Sequence, residues 1–188
     1  METDRVLCGI DEAGRGPIAG PLVMAGVILH APIGGLDDSK QLSEKKREAL
    51  YDIVIAQSSY HIVRFSAAEI DEKGISFCLA QGLKAIMQCL GDAEYLFDGN
   101  STFGVKGLRT QVKADAEVPE VSAASILAKV TRDREMVVLA EQYPHYGFEN
   151  HKGYGSKAHI DAIKQYGYCD IHRKSFRIKA LQPTLFDF

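Results

Sequence analysis

GIDEAGRGP at residues 9–17 closes an apolar run, Val6-Leu7-Cys8-Gly9-Ile10, with two adjacent carboxylates, Asp11 and Glu12, and turns at once into glycines. Successive side chains on a strand point to opposite faces. Two neighbouring acids at the lip of a buried strand therefore place at least one of them inward. A buried, unpaired carboxylate is costly unless a cation or a metal partners it. The next five residues offer one cation, Arg15, which makes a divalent metal the better partner.

Working outward, residues 5–11 and 20–30 read as two strands joined by the glycine loop. The second is a nearly continuous apolar run, as in a strand buried on both faces. Ser43 opens a helix through about Gln57, and residues 60–65 alternate as a third strand. Residues 75–90 carry apolar side chains at helical spacing. Residues 94–98, EYLFD, read as a short strand ending in a carboxylate, and 111–113 as one more. Pro119 starts a long helix through about Gln142, a Tyr-, Gly- and His-rich loop covers 143–155, and a basic helix covers 156–166. An irregular tail follows. Asp71 and Glu72, in an IDEKG echo of the opening motif, read as solvent carboxylates at a helix end. Strands mixed with helices predict a sheet of α/β or α+β type with helices packed on it.

With 188 residues, 46% of them hydrophobic, the chain suits one compact domain. No apolar run approaches the ~20 residues that cross a bilayer. The start, METDRV, lacks the apolar region of a secretory signal, so a soluble, cytoplasmic protein with no membrane partner is expected. Cys8, Cys78, Cys89 and Cys169 are scattered, without the short spacings of zinc or redox motifs. The formal net charge of -3 gives no sign of a polyanionic partner. Its distribution is uneven: Lys152, Lys157, Lys164, Arg173, Lys174, Arg177 and Lys179 face only Asp161 and Asp170 between residues 150 and 180. That basic quarter fits either a nucleic-acid contact or a solvated helix face.

Gly14, Gly16 and Gly20 do not make a dinucleotide fingerprint, because Ala19 stands where the third glycine belongs. The GYGSK stretch at 153–157 lacks the spacing of a P-loop. The remaining role for the glycine loop is close approach of its backbone to a ligand. Asp98 ends EYLFD and Asp115 follows Val112-Lys113-Ala114. With Asp11 and Glu12 they make four acids at strand ends, where ligands of open sheets lie. Two like charges ~4 Å apart repel by about 4 kcal/mol at an effective dielectric of 20. Such a set calls for counter-ions, and hard oxygen donors suit Mg²⁺ or Mn²⁺. Two such ions would activate a water and stabilise the leaving oxygen of a phosphodiester.

The chain resembles the type 2 ribonuclease H family, ribonuclease HII. The resemblance runs through GIDEAGRGP at 9–17, DDSKQLS at 37–43, EIDE at 69–72, DGN at 98–100, VSAASILAKVTRDREM at 121–136, YGFENHKGYGSKAH at 146–159 and HRKSF at 172–176. It implies a ribonuclease H-like α/β fold, a mixed sheet flanked by helices with a helical C-terminal portion. On this reading residues 1–176 form the catalytic domain and 177–188 a tail, and the protein is a monomer. The implied activity is cleavage on the 5′ side of a ribonucleotide, in RNA–DNA hybrids or embedded in duplex DNA, leaving a 3′ hydroxyl and a 5′ phosphate. The family's four metal-binding, catalytic acids match Asp11, Glu12, Asp98 and Asp115, with two ions bound alongside substrate. Gly14, Arg15 and Gly16 match its ribose-sensing loop, Tyr154 its junction-sugar tyrosine, and Lys40 a residue near substrate phosphate.

The resemblance also sets Ser122, Ser125 and Lys129 beside the metal site, although a closely packed helix would explain the serines equally well. His151, His159 and His172 could shuttle protons or touch phosphate, and none is assigned to catalysis. Two positions depart from the family pattern: Ala114, where many members have glycine, and Gly74, where they often carry asparagine. Gln182, Leu185, Phe186 and Phe188 look like a sliding-clamp-binding peptide, against the alternative of an ordinary terminal segment. Arg15 argues against the related ribonuclease HIII. A non-catalytic nucleic-acid-binding module would leave four acids unexplained, since without metal they repel phosphate.

Overall fold

The computed structural model describes residues 5–36 and 42–182. Strands β1 (Leu7–Ala13), β2 (Leu22–Leu29), β3 (Ser58–Phe65), β4 (Glu94–Asp98) and β5 (Leu108–Gln111) form one sheet in the order β3-β2-β1-β4-β5. β1 pairs antiparallel with β2 and parallel with β4, and β4 pairs parallel with β5. The helices are α1 (Glu44–Gln57), α2 (Ala67–Lys73), α3 (Ile75–Leu90), α4 (Pro119–Gln142), α5 (Phe148–His151) and α6 (Lys157–Tyr166). This is the mixed, helix-flanked sheet with a helical C-terminal portion that the family resemblance implies.

Strand alternation divides the core. Cys8, Ile10, Leu22, Met24, Tyr95 and Phe97 pack with Leu79, Leu83 and Ile86 of α3 on one face. Val23, Ala25 and Val27 pack with Ala123, Ala124 and Leu127 of α4 on the other, with Leu50 and Val54 of α1 completing that layer. The long helix comes unusually close to the central strand. A Cβ added to Gly9 would sit 2.2 Å from the backbone of Glu120 and Val121. The missing Cβ of Gly9 allows this approach, which sets the depth at which the helix lies over the strand that carries Asp11.

Several expectations shift. The sequence sets Asp71 and Glu72 at a helix end without bounding the helix, and α2 supplies it. Its signal is a capping box in which Ser66 accepts from the Glu69 N–H and the Glu69 carboxylate accepts from the Ser66 N–H. The fifth strand lies at 108–111 rather than 111–113. Asp115 therefore ends no strand; it sits in a 3-10 turn at Ala114–Ala116, entered through Lys113 in the left-handed region at φ 61°. Asp71 is not a free solvent acid. It accepts from the backbone N–H groups of Lys174 and Ser175 and from the Ser175 hydroxyl, tying the C-terminal segment to α2. Burial alone would raise its pKa, but the Ser175 and Lys174 donors outweigh that and lower it.

Gly9→Ala forces a methyl group into the α4 backbone. An overpacking cost of about 1–3 kcal/mol is expected to lower the melting temperature by roughly 2–12 °C. Thermal denaturation followed by circular dichroism checks this; an unchanged midpoint would contradict the close approach.

Candidate metal centre and the cleft around it

The register that pairs Ile10 with Phe97 sets the next residues, Asp11 and Asp98, side by side at the carboxyl ends of two parallel strands. Gly9 and Leu96, two positions earlier, both face the α4 layer. Alternation therefore turns both aspartates to that face. The Lys113 turn folds Asp115 back to them, and the backbone N–H groups of Lys113 and Asp115 donate to the Asp98 carboxylate at 3.1 and 3.2 Å. One carboxylate oxygen from each of Asp11, Asp98 and Asp115 lies within 4.8 Å of the others.

Glu12 is the next residue on β1, so alternation aims it away from this group. Arg15 Nε lies 3.0 Å from Glu12 Oε1, and the Arg15 guanidinium rests over the Phe103 ring. Glu12 Oε2 is buried and makes no hydrogen bond among the described residues. The expected set of four thus divides into a convergent triad and one neighbour held by an arginine.

Burial and then the charges of Glu12 and Asp98 push the Asp11 pKa well above the ordinary carboxylate value, against the opposing Glu12 N–H and Ser125 hydroxyl. Burial likewise raises Glu12, with Arg15 only partly offsetting it. Burial and the adjoining Asp115 raise Asp98. Acids raised in the folded state oppose folding when they ionise. Without metal, stability therefore falls as pH rises from the ordinary carboxylate range through the raised values. A donor set made only of carboxylate oxygens, with a buried oxygen of Glu12 unused beside it, fits a hard divalent cation.

The acids line a cleft of ≈ 510 Å³. Gly14, Arg15, Gly16 and Tyr154 border it, together with Ser125, Lys129 and Arg47. The helix face proposed from sequence divides. Ser125 and Lys129 reach the cleft, whereas Ser122 is buried and donates to the Leu36 carbonyl as a packing element. Lys40, Leu185, Phe186 and Phe188 lie outside the described residues. Gln182 is exposed at the end of a 3-10 turn.

Sequence reasoning missed two buried arginines behind this cleft. Arg173 is not part of a solvated basic face: it is fully buried and donates to the carbonyls of Gly14, Arg15 and Gly20 at 2.6, 3.2 and 3.0 Å. Arg132, 1% exposed, donates to Pro21, Lys152 and Ala19 at 2.9, 2.8 and 3.1 Å. Burial, helped by their mutual repulsion, lowers Arg173 to about 10. Six carbonyl dipoles replace the lost water, as buried charges require. Gly14 makes room for this: at φ +92° it has no Cβ to strike Arg132 Nε or the Pro21 carbonyl. With the Gly14 and Arg15 carbonyls turned inward, the N–H groups of Arg15 and Gly16 make no hydrogen bond among the described residues. Composition carries no signal for such arginines, since a charged residue in a basic stretch ordinarily reads as solvent-exposed.

A family model described as "Ribonuclease HII" matches residues 8–179. The chain belongs to the ribonuclease HII family. A ribonuclease HII of Sulfurovum sp. (strain NBC37-1) is 67% identical over 181 residues, covering 96% of each chain. A chain of the PCNA–ribonuclease HII complex from Archaeoglobus fulgidus superposes with a TM-score of 0.80 at 30% identity, covering 97% of this chain and 100% of that one. The ribonuclease H2 of Pyrococcus horikoshii OT3 gives 0.72 at 30% identity, covering 90% and 93%. This ribonuclease HII-type chain therefore carries its acid triad on the family's own fold. No helix among its described residues is long and apolar enough to cross a membrane.

Replacing Asp11 removes one repelling charge. In metal-free protein, Asp11→Asn is expected to raise the melting temperature by roughly 2–4 °C per kcal/mol of repulsion relieved. Mg²⁺ or Mn²⁺ should then stabilise the wild type and leave the variant nearly unmoved. Melts with and without chelator decide it; a wild type indifferent to both ions would argue against a metal centre.

Proposed function

We propose that the cleft cuts the phosphodiester on the 5′ side of a ribonucleotide, in an RNA–DNA hybrid or embedded in duplex DNA, leaving a 3′ hydroxyl and a 5′ phosphate. The observation that carries this reading is the convergence of Asp11, Asp98 and Asp115 within 4.8 Å, beside a loop whose Arg15 and Gly16 N–H groups make no hydrogen bond among the described residues. Those three acids would hold Mg²⁺ or Mn²⁺, with two ions alongside substrate, and Glu12 would join by swinging from Arg15. Bound there, the metal supplies an activated water and neutralises charge on the leaving oxygen.

The chain's own residues do the rest. Arg132 and Arg173 hold the carbonyls of the glycine loop inward, so its N–H groups present themselves to a ribose. A 2′-OH both donates and accepts, and distinguishes RNA from DNA at a single nucleotide. Tyr154 is 48% exposed at the cleft, with its ring 5.8 Å from the Arg132 guanidinium carbon. It would pack on the junction sugar. Lys129, paired with Asp133 at 2.8 Å, and Arg47 add positive charge for substrate phosphate. Lys40 is proposed in the same phosphate-binding role from the sequence resemblance.

The test is cleavage of a duplex carrying one embedded ribonucleotide, with product ends mapped. Activity is expected with Mg²⁺ or Mn²⁺ and abolished by chelator. Asp11→Asn and Asp98→Asn should each lower the rate by a factor of at least about 10³ while remaining folded. Chelator-resistant activity, or full turnover in either variant, would refute the assignment.

For the tail, likeness to a chain from a PCNA complex supports the reading of Gln182, Leu185, Phe186 and Phe188 as a sliding-clamp-binding peptide. Calorimetric titration of a 177–188 peptide into a sliding clamp is expected to give saturable binding that is lost when Leu185 and Phe186 become alanine. Flat heats with the unmodified peptide would remove the proposal.

A further inference from the structure

Three histidines that the catalytic reading leaves unused stack together behind Tyr154. The His151 and His159 rings lie parallel, with centroids 4.3 Å apart, and Phe148 packs against both and against His172. His159 and His172 are fully or almost fully buried.

Their hydrogen bonds form a chain whose direction is set from one end. The Cys169 N–H donates to His172 Nδ1 at 2.9 Å. That nitrogen is thus the acceptor, and a neutral His172 carries its proton on Nε2. His172 Nε2 lies 2.9 Å from His159 Nε2, so His172 donates and His159 accepts. The His159 proton is left on Nδ1, which donates to the Tyr154 carbonyl at 2.8 Å. The same carbonyl accepts from the Ser156 N–H at 2.9 Å, and the Tyr154 N–H donates to the His151 carbonyl at 3.0 Å. His151 is fixed likewise: the Gly153 N–H donates to its Nδ1 and its Nε2–H donates to the Tyr146 carbonyl. Burial lowers His159 and His172 to about 4, so both are neutral near pH 7 and each has one proton to place.

We infer that His172 and His159 are positioning residues: a one-way hydrogen-bond relay from the Cys169 N–H to the Tyr154 carbonyl that fixes this tyrosine at the cleft and couples residues 169–172 to recognition of the substrate sugar. The inference rests on the proposed sugar-packing role of Tyr154. It differs from generic core packing in one respect: the order of donors and acceptors matters, not only the volume of the rings. An asparagine at 159 presents an N–H near the position of Nδ1 and keeps the Tyr154 bond, whereas phenylalanine fills the space without it.

The experiment compares His159→Phe, His159→Asn and His172→Asn, each also combined with Tyr154→Ala. The readout is steady-state cleavage of the duplex with one embedded ribonucleotide, with melting temperatures alongside. His159→Phe is expected to lower kcat/KM about tenfold, mainly through KM. His159→Asn should recover most of that loss even where it melts lower than the phenylalanine variant. His172→Asn keeps the acceptor for Cys169 but loses the Nε2 donor, and a smaller rise in KM is expected. In the Tyr154→Ala background the His159 substitutions should have almost no further effect, because a residue acting through another is not additive with it.

Multiplying penalties in that background would overturn the relay while leaving the Tyr154 reading intact. An unaltered KM in Tyr154→Ala alone would instead remove the sugar-packing role, and the inference with it. Should His159→Phe not fold, ¹⁵N spectra of the wild type near pH 7 decide: protons on His159 Nδ1 and His172 Nε2 support the relay, and the opposite tautomers exclude it.

Discussion

Three carboxylates within 4.8 Å of one another repel, so the frame that carries them has to impose their convergence. Parallel pairing of β1 and β4 supplies two of the acids in register. The turn after β5 returns the third, with backbone N–H groups held against Asp98. α4 lies on Gly9 without an intervening side chain, and it brings Ser125 to Asp11. Each element is anchored by apolar packing on its far side, where burial at ~25 cal/mol per Å² accumulates. The core therefore sustains an arrangement that the acids alone would push apart, and that tension suits the site to a divalent ion.

A second charged layer sits behind the first. Arg132 and Arg173 bind six backbone carbonyls and form no ion pair among the described residues. Their donors bind together the glycine loop at 14–21, the turn at Lys152 and the segment around Arg173, the first of which lies more than a hundred residues from the other two. Charge-assisted bonds of this kind are shorter and stronger than neutral ones. The loop is consequently anchored through its carbonyls, despite its glycines. The histidine stack continues the same layer to the backbone of Tyr154.

Much of this was legible in the primary structure. The apolar run into Asp11 and Glu12, the strand ending in Asp98 and the Pro119 helix appear where they were expected, because β1, β2, β4 and α4 have strong local patterns. What was not legible followed from long-range geometry. β5 is short and half-polar, so its bounds slipped by three residues at its start and Asp115 was assigned to a strand end instead of a turn. The bounds of the short helix α2 were concealed by polar residues, although its capping box was present at Ser66 and Glu69.

The order of residues determined that acids would end buried strands, that glycines would follow them, and that the combination matched ribonuclease HII. Local pattern and residue chemistry suffice for that. Only the tertiary structure decided which acids meet: the pleat sends Asp11 and Glu12 to opposite faces, and a left-handed turn returns Asp115. It alone removed Arg173 from the solvent-exposed basic charge and made it a buried anchor. The reason is the same in each case: a side chain's surroundings are fixed by segments far away in the chain, and no local window contains them.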